Sequence, residues 1–113
     1  MNFSNEQIGN IIVVQSHVDK LDAGNAPELK SHFVVINKSG KNQIVLDLSK
    51  TKYCDSTGLS AILVANRLCK DTNGSFALCG LQPSVRKMIE IAQLDKVFTI
   101  CDAKEEAIST LEV

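Results

Sequence analysis

The chain has 113 residues, 44% of them hydrophobic and 22% charged, and its formal net charge is -1. This length predicts one domain, residues 1–113, with a core that needs no disulfide or metal. The near-neutral charge argues against a nucleic-acid partner, and no apolar run approaches the roughly 20 residues of a membrane helix. The start of the chain also lacks a secretory signal, so we expect a cytoplasmic protein without membrane insertion.

The first predicted elements are two extended segments joined at Gly9–Asn10, a dipeptide typical of a hairpin turn. A helix is predicted from Asn25, because Pro27 suits a first turn and Glu28 is placed for a capping box. Gly40 is predicted to end this helix. The apolar face of the helix, at helical spacing, consists of Leu29, Phe33 and Ile36.

The remaining strands are short and almost continuously apolar, which is typical of strands covered on both faces of a parallel sheet. They are QIVLDLS at 43–49, FALCG at 76–80 and VFTI at 97–100. Helices are predicted to follow residues 56, 82 and 102, the last with a capping box formed by Asp102 and Glu105.

This order, β-β-α-β-α-β-α-β-α, predicts an α/β fold. We expect a mostly parallel sheet of four or five strands, with an N-terminal β-hairpin at its edge and helices packed on it.

Four cysteines are present, and none belongs to a C-x-x-C pair of the kind found in zinc sites and redox centres. They lie in or beside apolar segments, which favours buried free thiols in a reducing compartment. We therefore expect no bound metal and no cofactor. The four are Cys54, Cys69, Cys79 and Cys101.

Enzymatic activity is not expected. There is no glycine-rich phosphate loop, and the two histidines, His17 and His32, are interpreted as a strand-end and a helix-surface residue. The stretch DSTGLS differs from the nucleophile elbow of hydrolases because no glycine lies two residues before Ser56.

The stretch Asp55-Ser56-Thr57 opens a helix, and all three residue types are favoured helix caps. A cap accounts for one of these three polar groups and leaves two unexplained. The helix that follows is apolar almost all round in its first two turns. One face must cover the sheet, and the remainder packs on another helix or binds a partner, for which Leu59 and Ile62 are the candidates.

The sequence resembles a known family, the anti-sigma-factor antagonists, or STAS domains. The stretch IVLDLSKTKYCDSTGLSAIL at 44–63 resembles the family's strand, Asp-Leu-Ser, and Asp-Ser-Ser/Thr-Gly-Leu helix start. VDKLDAGNAPELK at 18–30 is similar to its Gly-x-Leu-Asp-x-x-x-Ala-x-x-Leu segment, with Leu21, Asp22, Ala26 and Leu29 in place. The segment at 78–100 is similar to a later part of the family pattern, in which a strand is followed by a proline, a helix and Leu-Asp-x-x-Phe. The segment at 103–111 is similar to the family's final helix.

The resemblance implies a partner switch. The unmodified antagonist would bind an anti-sigma factor that is also a serine-protein kinase, and would thereby free the sigma factor. Phosphorylation of Ser56 would release the antagonist, and a phosphatase would reset it. Asp22 would lie in a loop beside the helix start. The residues expected to bind the partner are Asp22, Asp55, Thr57, Gly58, Leu59 and Ile62.

One alternative stays open and two positions depart from the family pattern. The alternative is a STAS scaffold that is never phosphorylated, a subunit of a transporter or signalling complex. Asp19 replaces a usual glycine, which is expected to change the shape of its loop. Cys54 replaces a larger apolar residue before Asp55.

Overall fold

The computed structural model describes residues 1–112. It contains every predicted strand and helix and adds two short strands, β3 and β5. The strands are β1 (Phe3–Ile8), β2 (Ile11–Ser16), β3 (Lys20–Leu21), β4 (Gln43–Asp47), β5 (Tyr53–Cys54), β6 (Ser75–Cys79) and β7 (Thr99–Cys101). The helices are α1 (Ala26–Lys38), α2 (Ser56–Asp71), α3 (Pro83–Ile91) and α4 (Lys104–Glu112).

Five of the strands form one sheet in the order β1-β2-β4-β6-β7. β1 is the edge strand and runs antiparallel to β2, whereas β2, β4, β6 and β7 are parallel. The turn between β1 and β2 holds Gly9 at a φ of 61°, a left-handed conformation that glycine adopts without strain. The predicted α/β fold and edge hairpin are confirmed.

Helices cover both faces of this sheet. α1, α2 and α3 pack on one face, and α4 packs on the other. Consecutive strand residues alternate between the two layers, so Ile12 and Val14 of β2 face α1 and α2, while Ile11 and Val13 face α4. The predicted apolar face of α1 is buried in the larger layer: Leu29, Phe33 and Ile36.

The two short strands were not predicted, because two residues are too few to show a periodic pattern. β3 and β5 pair in parallel, with Lys20 opposite Tyr53 and Leu21 opposite Cys54. The carbonyl of Asp19 accepts hydrogen bonds from the backbone N–H groups of Lys52 and Tyr53, at 2.8 and 3.1 Å. This small sheet ties the loop before α1 to the start of α2.

Asp19 fits this loop without strain. Among residues 1–112, the non-glycine residues with positive φ are Asn73 and Gln93 alone, so Asp19 has an ordinary backbone conformation. Its carboxylate lies 3.9 Å from the Lys52 ammonium. The loop is closed by hydrogen bonds to the Asp19 carbonyl, a backbone group that glycine and aspartate both possess.

The capping box predicted at Asn25 and Glu28 is wrong. Asn25 is the N-cap residue of α1, but its side chain makes no capping hydrogen bond. Its Oδ1 accepts from the Asp22 backbone N–H at 3.0 Å, and its Nδ2 donates to the Lys20 carbonyl at 2.8 Å. Glu28 accepts instead from the Asn2 amide at 2.9 Å. The Asn25 side chain therefore fixes the preceding loop rather than the helix end.

The capping box predicted at Asp102 and Glu105 is also wrong, because neither side chain makes the capping hydrogen bond expected of it. The Asp102 backbone N–H donates to Oε1 of Glu106 at 2.9 Å. α4 begins at Lys104, which moves the reciprocal glutamate one position along the chain.

The four cysteines are free and buried, as predicted. Burial raises the pKa of the Cys69 thiol to about 11 and those of Cys54 and Cys79 to about 12. Nearby carboxylates, Asp55 for Cys54 and Asp47 for Cys79, contribute to the raised pKa values of these two thiols. The three thiols are therefore protonated and weakly nucleophilic at neutral pH.

No helix within residues 1–112 is long and apolar enough to span a membrane.

Candidate functional site

The start of α2 resolves which of the three polar groups is the cap. Asp55 has an extended backbone and is the N-cap, and its Oδ1 accepts from the Gly58 backbone N–H at 2.9 Å. Ser56 is the first helical residue, followed by Thr57, and both side chains are exposed. The carboxylate therefore closes the helix end, which leaves the Ser56 and Thr57 hydroxyls free of the capping role.

Replacing Asp55 by alanine is expected to lower the free energy of unfolding by about 1 kcal/mol, because the helix loses its cap. Ser56→Ala, the matched control one residue away, removes no capping contact and is expected to leave stability nearly unchanged. Urea denaturation followed by circular dichroism measures both. An equal loss in the two variants would contradict the assignment of the cap to Asp55.

Gly58 is buried where α2 lies closest to the small sheet. A Cβ atom at this position would lie 2.6 Å from the Leu21 carbonyl oxygen and 2.7 Å from the Cys54 sulfur. Only glycine allows this approach without displacing backbone. Gly58 was predicted as a partner contact, but it presents no side chain to one; its structural role is to seat the helix start on β3 and β5.

Asp22 lies in the loop that follows β3. The Asp55 backbone N–H donates to the Leu21 carbonyl at 3.1 Å, so the residue after Leu21 is held beside the start of α2. The Asp22 carboxylate accepts from the Gly24 backbone N–H at 2.9 Å and remains partly exposed. The structure thus brings the Asp22 and Asp55 loops together on one side of Ser56.

The prediction that Leu59 and Ile62 offer a surface to a partner is wrong. Leu59 is 4% exposed and Ile62 is fully buried, both within the core layer under α1, α2 and α3. The helix is apolar on two sides because one side covers the sheet and the other packs on α1. The side that faces outward carries Thr57 and Ser60, with Val64 half-buried between them and α1.

Two grooves flank the helix start. The groove between α1 and α2 measures about 240 Å³ and is lined by Ala26, Pro27, Lys30, Thr57, Ser60, Ala61 and Val64. The groove between β5 and α3 measures about 390 Å³ and is lined by Cys54, Pro83, Ser84, Lys87, Met88 and Ile91.

Two large exposed apolar side chains were not predicted from the sequence: Ile91 lines the groove between β5 and α3, and Tyr53 lies on β5 outside that lining. Ile91 is 68% exposed, and Tyr53, next to Cys54, is 53% exposed. The Lys20 ammonium lies 5.8 Å from the centre of the Tyr53 ring, a cation–π contact that helps to hold the ring in place. The available signal was that Ile91 falls off the face of α3 that buries Val85 and Ile89.

The fold and this site define a class of small α/β domain in which an exposed Asp-Ser-Thr run opens a helix. Residues 2–107 match the profile of the STAS domain. BtrV of Bordetella bronchiseptica is 29% identical over 87 residues, 77% of this chain and 75% of that protein. The anti-sigma F factor antagonist of Paenibacillus polymyxa is 34% identical over 70 residues, 62% of this chain and 60% of that protein. The chain belongs to the STAS domain family.

Solved structures of other proteins share the fold. A Thermotoga maritima protein superposes with a TM-score of 0.91 at 25% identity, covering 98% of this chain and 95% of that one. The anti-sigma factor antagonist SpoIIAA, in its unphosphorylated form, gives a TM-score of 0.76 at 21% identity, with 97% of both chains covered. The phosphorylated form of SpoIIAA from Bacillus gives 0.74 at 20% identity, covering 96% of this chain and 97% of that one.

Proposed function

We propose that this chain is an anti-sigma-factor antagonist that acts as a phosphorylatable partner switch. In its unmodified form it binds an anti-sigma factor that is also a serine-protein kinase, which frees the sigma factor in the cytoplasm. Phosphorylation of Ser56 releases the chain, and a phosphatase restores it. The observation that carries the proposal is the exposed Ser56 hydroxyl, which is not needed as a cap because Asp55 caps the helix.

The position of Ser56 favours a phosphate that leaves the fold unchanged. A phosphoserine adds about 1.5 to 2 negative charges at neutral pH. At the first position of α2 this charge would face the unpaired N–H groups and the positive end of the helix dipole. SpoIIAA, which has the same fold, has been solved with and without its phosphate.

The same charge would be unfavourable at an interface. The phosphate would join the carboxylates of Asp22 and Asp55 on the surface beside Thr57. A partner that meets two acids there would meet nearly four negative charges after phosphorylation. Repulsion and desolvation of like charges across an interface cost several kcal/mol. The chain itself acts as a binding protein, and the partners supply the kinase and phosphatase chemistry.

The apolar part of the interface is assigned to the groove between β5 and α3, in place of Leu59 and Ile62. Ile91 lines this groove and is exposed, and Tyr53 is exposed on β5, two residues before Asp55. Large apolar side chains left exposed near the start of α2 are the expected interface anchors.

Ile91→Ala is expected to weaken binding of the anti-sigma partner about tenfold, while leaving the free energy of unfolding nearly unchanged, because Ile91 is largely exposed. Val35→Ala is the matched control, since Val35 is 67% exposed on α1 and lies outside this groove. Titration calorimetry measures both affinities. A larger loss for Val35→Ala than for Ile91→Ala would place the apolar contact on α1.

Capture from the source cell tests the proposed function. The immobilised chain is expected to retain an anti-sigma kinase from extract without ATP and to release it when ATP is added. The released chain is expected to carry one phosphate, detected by mass spectrometry. Retention of a transporter or signalling subunit, unaffected by ATP and with no phosphate added, would support the scaffold alternative and contradict the proposal.

A further inference from the structure

A separate cavity lies at the far end of α2 from Ser56, where β6 and β7 begin. It measures about 310 Å³, and we call it the edge cavity. Its lining comes from both helical layers as well as the sheet, so it opens through the sheet edge. The lining residues are Asn66, Lys70, Gly74, Ser75, Phe76, Val97, Thr99, Thr110 and Leu111.

The edge cavity exists because β7 is shorter than β6. β6 pairs with β4 along its whole length, from Ser75 to Cys79. On its other side it pairs with β7 only from Ala77, which lies opposite Thr99. The first two residues of β6 therefore have no strand on their outer side. α2 forms one wall of the resulting notch and α4 forms the other.

The Asn66 side chain is the unusual element of the lining. Asn66 is 7% exposed on the inner side of α2, yet its amide makes no hydrogen bond within residues 1–112. Every fully enclosed side-chain N or O atom in that part of the chain has a partner. The Asn66 amide has no such partner, so it is not fully enclosed, and its accessible surface faces the edge cavity that it lines. The amide is therefore free to hydrogen-bond to a molecule that enters the cavity, which would give it the partner that it lacks in that part of the chain.

The other residues that line the edge cavity indicate which kind of molecule it can bind. Lys70, one turn after Asn66, is the single charged residue of the nine, so the cavity favours a negative charge. The Thr110 hydroxyl donates to the Glu106 carbonyl at 2.9 Å and presents only acceptor capacity to the cavity. Phe76, Val97 and Leu111 give the cavity an apolar side.

We propose that the edge cavity binds a small organic carboxylate whose apolar body is about the size of one ring. The Lys70 ammonium and the Asn66 amide bind the carboxylate, and Phe76 packs against the apolar body. The volume falls in the range of about 300–1,000 Å³ that is usual for small-molecule pockets. This site is separate from the proposed switch and does not depend on Ser56.

Titration of the isotope-labelled chain with benzoate, followed by NMR, tests the site. The Asn66 side-chain signals are expected to shift saturably, with a dissociation constant of about 1 mM or tighter. Benzamide, which has the same shape without the charge, is expected to bind at least tenfold more weakly. Lys70→Gln is expected to remove this difference, and Asn66→Leu to abolish binding.

Lys30→Gln is the matched control, because Lys30 is the lysine of the groove between α1 and α2. It is expected to leave benzoate affinity unchanged, as is Ser56→Ala. Spectra of each variant without ligand establish that it is folded, and Lys70 is exposed, so Lys70→Gln disturbs no packing. Absence of a saturable Asn66 shift in the wild-type chain, or equal binding by the Lys70→Gln and wild-type chains, would overturn the proposal.

Discussion

The chain carrying phosphate on Ser56 is expected to bind its anti-sigma partner about a hundredfold more weakly than the unmodified chain, equivalent to roughly 3 kcal/mol. The phosphate adds charge beside Asp22 and Asp55, whose loops the hydrogen bond from the Asp55 N–H to the Leu21 carbonyl holds together. The thermal unfolding midpoint should change little, because the start of α2 tolerates negative charge. Calorimetry on the two forms measures the affinities.

Ser56→Asp should fall between the two forms, since one carboxylate carries less charge and fewer acceptor atoms than a phosphate. Ser109→Asp is the matched control: it adds the same charge at an exposed serine of α4, on the opposite face of the sheet. It should leave the affinity within twofold of wild type. Equal weakening by both substitutions would mean that the partner responds to net charge rather than to the site.

Gly58→Ala is expected to lower the free energy of unfolding by about 2 kcal/mol. The new methyl group would lie 2.6 Å from the Leu21 carbonyl oxygen and 2.7 Å from the Cys54 sulfur. Overpacking of this kind costs about 1–3 kcal/mol, which outweighs the gain in helix propensity of up to about 1 kcal/mol. Because the displaced backbone carries Asp22, partner affinity should fall as well.

Gly24→Ala is the control for this substitution. Its methyl group would meet only the flexible Asp22 carboxylate, at 3.2 Å, and its backbone does not need glycine. Urea denaturation should therefore show a small change for Gly24→Ala and a large one for Gly58→Ala. If Gly58→Ala is as stable as wild type, the helix start is not seated on the small sheet as the structure has it.

The sheet and helices were predictable because their patterns are long enough to be read. Each apolar segment of the sheet is short and almost continuous, and the helices carry apolar residues at helical spacing. β3 and β5 were not predicted, because a strand of two residues is too short to show the alternation of apolar and polar residues. The pairing of distant segments that builds them, Leu21 beside Cys54, is a tertiary contact that local patterns do not encode.

The candidate site was predicted only in part, because it too depends on tertiary contacts that local patterns do not encode. The Asp-Ser-Thr run marks a helix start, but three favoured caps in a row leave the choice among them open, and only the geometry assigns it to Asp55. Leu59 and Ile62 were wrongly predicted to be exposed to a partner, because the sequence of an apolar helix does not show how many of its sides are covered by the rest of the fold. Here α1 covers a second side, so Leu59 and Ile62 are buried, whereas Tyr53 and Ile91 are among the large apolar side chains that remain exposed.

The most direct test of the proposed switch is to locate the phosphate after incubation of the chain with ATP and the captured kinase. Fragmentation mass spectrometry is expected to place it on Ser56. Thr57→Ala should then incorporate phosphate as the wild-type chain does, and Ser56→Ala should incorporate none. Phosphate that persists in Ser56→Ala and disappears in Thr57→Ala would contradict the assignment of the acceptor. Incorporation unaffected by either substitution would mean that the start of α2 is not the phosphorylated site.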